Sequence, residues 1–202
     1  MIRPKPWAMK QHRGGTDCPQ PLRRLTFGEH NRFLHYLGAD EAYFTMENYL
    51  GRSDVSRFHA WPGRVAAITT MPGNAELEGM FLLRSTETTV TREMDQEARL
   101  RHIEQVFGGD EWLVPSMLGA MRSANDFRLT PCLQVRMDSW HTGRVGLVGD
   151  AAHCPDPIAG QGAALALIGA YVLAGELAAG GGNPAVAFAG RPVEATGHAS
   201  KL

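Results

Sequence analysis

The spacing of apolar and polar positions changes character several times along the chain. From Phe33 onward the two kinds alternate. Three stretches rich in β-forming residues, 41–50 (EAYFTMENYL), 64–71 (RVAAITTM) and 79–85 (GMFLLRS), predict strands separated by Gly, Pro, Asp and Asn turns. The turns WPGR (61–64) and MPGN (71–74) pair a proline that presets one corner with a glycine that accepts the next. Links this short favour antiparallel pairing, because a parallel crossover needs far more chain. In 92–107, Leu100, Ile103 and Phe107 recur at helical spacing ahead of Gly108 and Gly109. A shorter helix is predicted in 112–121, starting near Pro115 with Leu118 and Met121 on one face. Strand character returns at 126–137, where Pro131 marks an edge strand or a break.

The run GRVGLVGD is almost wholly apolar from Arg144 to Val148, which predicts a strand covered on both faces in a parallel or central position. A helix follows from about 160 to 179, and GGGNP ends it. Residues 1–24 show no sustained period and read as an irregular arm, with regular structure starting near Leu25. Residues 183–202 carry little core signal and read as an irregular tail. No internal repeat is present.

Composition narrows the class. The chain has 202 residues, 44% hydrophobic and 20% charged, enough for one full domain or two small ones with a sizeable core. A formal net charge of -1, with scattered basic residues, excludes an electrostatic footprint for nucleic acid. Three cysteines, Cys18, Cys132 and Cys154, form no CxxC pair; they argue against a disulfide framework or a zinc site and fit a reducing, cytoplasmic setting. The N-terminus has no apolar core of the kind a secretory signal needs. Residues 162–180 are apolar but rich in Ala and Gly and carry Glu176, so the expectation is a buried core helix and no membrane span. The closing SKL matches a peroxisomal address in form, but nothing else in the chain supports it.

The stretch RVGLVGDAAHCPDPIAGQG (144–162) carries the chemistry. Ligands of open α/β sheets bind at the carboxyl ends of strands, where Asp150 is expected. A carboxylate there accepts hydrogen bonds from sugar or polyol hydroxyls. Gly160 and Gly162 let a flat ligand approach the backbone, and the helix start behind them favours negative charge. These features suit a ligand with hydroxyls at one end and an electron-accepting ring at the other. They equally suit a strand-turn-helix in which Asp150 is a turn former.

The longer segment GRVGLVGDAAHCPDPIAGQGAALALIGAYVLAGEL closely resembles the second flavin-contacting motif of FAD-dependent monooxygenases of the aromatic-hydroxylase type. The resemblance implies that Gly149 and Asp150 bind FAD, with Asp150 on the ribityl hydroxyls. It also implies that the backbone of 157–163, through Pro157, Gly160, Gln161, Gly162 and Ala163, lines the pyrimidine side of the ring. Residues 25–140 resemble the family's substrate domain more weakly. The expected fold is therefore α/β with α+β character: an antiparallel substrate-domain sheet with helices (25–140), followed by the C-terminal strand-helix part of an incomplete FAD-binding Rossmann-like domain (141–182).

Departures from the family pattern bear on activity. The GxGxxG fingerprint that holds the FAD pyrophosphate is missing from this sequence. The segment GTDCPQPLRR (15–24) keeps Gly15, Asp17 and Arg24 of a further family motif, with Cys18 and Pro21 where Gly and Ser are usual; it is a degraded copy or a coincidence. Ala164, Ala166 and Gly169 replace common Asn, Gly and Asp residues, and the sequence after Phe188 diverges. The chain thus resembles the middle and back of a truncated or frame-shifted family member, with weak or absent FAD binding expected of it alone. The resemblance implies hydroxylation of an aromatic or related small molecule with NAD(P)H and oxygen. Under it, the cofactor carries the chemistry and no side chain is assigned as catalytic. A second chain supplying the nucleotide-binding half is the partner it implies. The alternative is a non-catalytic remnant or interaction module that keeps the fold without FAD.

Other clusters are weaker. His153, Cys154 and Asp156 stand too close together for a four-ligand metal site, and no metal is expected. His30 and His35 share no face of a helix or strand. Tyr36, Tyr43, Tyr49 and Trp61 read as core aromatics before pocket-lining ones.

Overall fold

The computed structural model describes residues 20–86, 90 and 94–189. They fall into two compact units. One takes the described residues of Met1–Phe33, Val135–Pro155 and Gly160–Leu202; the other takes Leu34–Gln134 and Asp156–Ala159.

The second unit is built on a five-stranded sheet: β1 (Leu34–Glu47), β2 (Ser56–Trp61), β3 (Arg64–Thr70), β4 (Glu76–Arg84) and β5 (Arg128–Val135), in the order β2-β3-β4-β1-β5. The pairs β2/β3 and β3/β4 are antiparallel, as their short turns require, and β1/β4 is antiparallel as well. At the β2–β3 corner Gly63 has φ +77°, the left-handed value that a Pro-Gly turn demands. The strand predicted at 41–50 starts earlier, at Leu34, and stops at Glu47. The one predicted at 79–85 starts at Glu76. β2 has no counterpart among the predicted strands: Ser56 to Ala60 are exposed, so no buried face imprints an alternation on them. Pro131 stands in β5, the edge strand of the sheet, where its missing N–H is tolerated.

Two helices belong to this unit. In α2 (Gln96–Phe107), Asp95 accepts the Ala98 N–H at 2.7 Å as N-cap, so the helix begins after the predicted start. Residues 92 and 93 of the predicted span lie outside the described residues. Leu100, Ile103 and Phe107 are buried as their spacing predicts. In α3 (Val114–Ser123) the buried stripe is Val114, Met117 and Met121, while Leu118 packs only partly. The core joins Phe44, Ile68, Leu77, Phe81, Ile103 and Phe107. Phe44 pairs with Gly79 across β1 and β4, and a Cβ on Gly79 would fall inside the Phe44 ring. Gly79→Ala is therefore expected to destabilise this unit by about 1–3 kcal/mol through overpacking, read as a lower urea midpoint.

The first unit contains α1 (Gln20–Phe27), a 3-10 turn (His30–Phe33), β6 (His141–Thr142), β7 (Val145–Gly146), α4 (Asp150–His153), α5 (Gly162–Ala179) and α6 (Pro184–Ala189). Three expectations are corrected here. Among the described residues, which start at 20, regular structure is already present at Gln20, before Leu25, because Pro21 is well suited to a first helical turn. The strand expected over 144–148 is a two-residue antiparallel pairing of β7 with β6; among the described residues it has no other strand to pair with, and Val145 and Val148 stay half-buried. The tail expected from 183 opens with α6.

A fourth correction concerns α5. It was expected to be a buried core helix, yet none of its residues is buried, and Leu167 and Tyr171 are 73% and 82% exposed. By length and composition, with mean hydropathy 1.7, it is long and apolar enough to cross a membrane. Its half-buried positions, Gly162, Leu165, Ala166, Gly169, Val172, Leu173, Glu176 and Leu177, nevertheless form one helical stripe. One face is packed and the other is bare.

Candidate cofactor site

The site begins at the turn after β7. Gly149 takes φ +66° and ψ -144° as N-cap of α4, a conformation costly for any residue with a Cβ. A Cβ there would also stand 3.2 Å from that of Ala166 on α5. A glycine is thus needed twice over, for the turn and for the approach of α5. Asp150 is exposed and opens α4 rather than closing a buried strand.

Gly160 has φ +61°, and a Cβ added to it would meet nothing within 4 Å. Gln161 is the N-cap of α5 but makes no side-chain cap, so the first turn is left to other acceptors. A Cβ on Gly162 would lie 3.7 Å from Asp150 Oδ1. The fold therefore brings the Asp150 carboxylate beside the first residue of α5. The predicted residues Ala163 and Gln161 are exposed at that same helix start. Pro157 lies in a 3-10 turn, Pro157–Ala159, that belongs to the other unit. An exposed carboxylate next to an uncapped, glycine-lined helix start can hold a ligand that offers hydroxyls to the one and negative charge to the other.

Supporting contacts fix this geometry. Gly169 lets α5 close on its neighbours: a Cβ would come within 3.1 Å of His153 Nε2 and of Val148 Cγ2. His153 packs on Trp140 with ring centroids 4.8 Å apart, and burial holds its pKa below the ordinary imidazole value. Arg23 is fully buried and donates from Nη1 to the Ala151 carbonyl at 2.8 Å. Its Nη2 lies 2.6 Å from His30 Nδ1. A guanidinium only donates, so His30 accepts at Nδ1 and carries its proton on Nε2. Sequence reasoning singled out Arg24, which is exposed; Arg23 and His30 do the tethering. The available signal was the helical phase of α1, which turns one of two adjacent arginines inward.

The residues weighed as metal ligands separate. Cys154 is buried in the first unit, whereas Asp156 in the second comes together with Glu41 and Cys132, which no spacing in the sequence joins. Tyr36, Tyr43 and Trp61 are half-buried in the second unit and Tyr49 is exposed.

Comparison with known proteins bears on this arrangement. A family model described as an FAD binding domain matches residues 67–183. An uncharacterized protein of Mycobacterium tuberculosis is 37% identical over 168 residues, covering 83% of this chain and 45% of its own length. A flavin-dependent monooxygenase of Legionella longbeachae is 37% identical over 169 residues, covering 83% of this chain and 43% of its own. The chain thus spans less than half the length of these relatives. Among solved structures, the tetracycline destructase Tet(55) superposes with a TM-score of 0.72 at 31% identity, over 84% of this chain and 44% of that one. Klebsiella pneumoniae HpxO complexed with FAD and uric acid shares the fold, with a TM-score of 0.56 at 19% identity over 71% of this chain and 36% of its own.

Proposed function

We infer function from one premise: the chain belongs to the FAD-binding domain family of flavin-dependent monooxygenases. On that premise Gly149, Asp150, Gly160, Gln161, Gly162 and Ala163, all of the first unit, are this chain's share of an FAD site. Asp150 would accept the ribityl hydroxyls, and the backbone of 160–163 would hold the pyrimidine edge of the ring. The observation that carries the reading is the exposed Asp150 carboxylate set 3.7 Å from the Cβ position of Gly162, at a helix start with open space over Gly160. The residues present fit the polyol and the ring; the sequence offers no GxGxxG turn for the pyrophosphate. Bound FAD supplies the electron transfer and oxygen chemistry, and the chain's own residues orient it and shield it from water. The reaction we propose is hydroxylation of an aromatic or related small molecule in the cytoplasm, with NAD(P)H as electron donor.

The bare face of α5 favours a polypeptide partner over lipid. Its exposed positions mix Leu167, Ile168 and Tyr171 with Ala163, Ala164, Ala170, Ala174, Gly175 and Ala178, a surface rich in small residues that allow close backbone packing. We assign that face to the nucleotide-binding half of the site. The test is an absorbance spectrum of the purified chain, alone and co-produced with the part of the Legionella longbeachae relative that its match does not cover. Little flavin retained alone and flavin bands retained by the pair is the expected result. A flavin-saturated chain alone would refute the divided site, and no flavin in either sample would favour the non-catalytic interaction module.

A further inference from the structure

The second unit buries an acidic residue whose part in the flavin reading is nil. Asp156 is 1% exposed and has φ +79°. Its Oδ2 accepts the Leu133 N–H of β5 at 2.6 Å and its Oδ1 accepts the Ile158 N–H at 3.1 Å, while its carbonyl accepts the Ala159 N–H at 3.2 Å. One side chain thus ties the Pro157–Ala159 turn to the edge strand of the sheet. Glu41 of β1 and Cys132 of β5 are buried beside it, and the ligand atoms of the three lie within 4.8 Å of one another.

Two carboxylates this close and this buried do not both ionise readily; one keeps a proton. The backbone donors decide which. Burial raises the pKa of the Asp156 carboxyl as well, but it receives an N–H on each oxygen, which favours its charge, whereas Glu41 receives the Tyr43 hydroxyl at 3.1 Å. Burial first, and then the charge of Asp156, push the Glu41 carboxyl up to about 7. Burial also pushes the Cys132 thiol up, so it remains a thiol. The titratable and charged groups facing the cluster are Tyr36, Asp40, Glu41 and Tyr43 of β1, Glu78 of β4, Cys132 of β5 and Asp156 itself.

We propose that Asp156 is a proton-gated anchor: with Glu41 protonated it holds the Pro157–Ala159 turn on β5, and ionisation of Glu41 releases it. The sign follows from the direction of the Glu41 shift. A carboxyl raised in the folded state stabilises it fully below the unfolded pKa of 4.5, and that contribution is lost as pH rises through about 7. The proposal stands apart from the flavin reading, because its test uses the chain alone.

Amide hydrogen exchange at Leu133 and Ile158, expressed as protection after correction for intrinsic rates, tests it. Protection in the wild type is expected to fall by about tenfold or more between about pH 5.5 and about pH 8.5. Glu41→Gln should keep protection high throughout, and Asp156→Asn, with one acceptor oxygen in place of two, should lower it at every pH. A flat wild-type profile, or an undiminished fall in Glu41→Gln, would overturn the proposal. Should either variant fail to fold, the carboxyl carbon shift of Glu41 in the wild type decides: a midpoint near 7 supports the anchor, and one in the ordinary carboxylate range refutes it.

Discussion

Replacing Phe107 by alanine is expected to lower the stability of the sheet unit by about 3–5 kcal/mol. Phe107 is fully buried at the end of α2, with its ring centroid 4.5 Å from that of Phe81 and 6.4 Å from that of Trp61. Phe81 in turn stacks on Phe44 at 5.8 Å. The series links the helix to both central strands, so truncation removes contact with the sheet and leaves a cavity that rigid rings fill poorly. The check is chemical denaturation: a lower midpoint at an unchanged slope is expected for Phe107→Ala, and less than about 1.5 kcal/mol for Phe107→Leu. Equal losses for the two variants would mean that ring volume at this position does not hold the helix.

The second large effect is expected from Arg23→Met. Methionine keeps most of the side-chain volume but removes the donors to the Ala151 carbonyl and to His30 Nδ1, both in buried surroundings. Each acceptor left without its partner costs about 1–3 kcal/mol. Arg23→Lys should not restore stability, because one ammonium cannot reproduce the planar fork that reaches both groups. Since Ala151 follows Asp150, the loss should also show as faster amide exchange across Asp150–His153. Exchange unchanged in that segment would detach Arg23 from the candidate site.

How much the sequence disclosed varies with what each element rests on. β3 falls within one residue of its predicted end because its apolar run is bounded by two Pro-Gly turns. β2 was illegible because pairing with β3, and no buried face of its own, makes it a strand. The end of α5 at Ala179 was marked by its glycines, but its environment was not. A helix apolar all round carries no record of which side is covered. Asp150 and Gly162 were singled out together because they stand in one long motif, though their closeness in space was not read from it. The Glu41, Cys132 and Asp156 cluster joins three distant segments through sheet register, a relation that local spacing does not encode. The choice of Arg23 over Arg24 turned on helical phase, hidden while 20–24 read as an irregular arm.

A fluorescence titration of the co-produced assembly with FAD, comparing the wild type with Asp150→Ala and Asp150→Asn, tests the flavin cradle most directly. Hydrogen bonds to a charged acceptor contribute about 1.5–3 kcal/mol, so Asp150→Ala should weaken FAD binding by about tenfold or more, with Asp150→Asn between the two. Unchanged affinity in a folded Asp150→Ala assembly would contradict the assignment of Asp150 to the cofactor's hydroxyls.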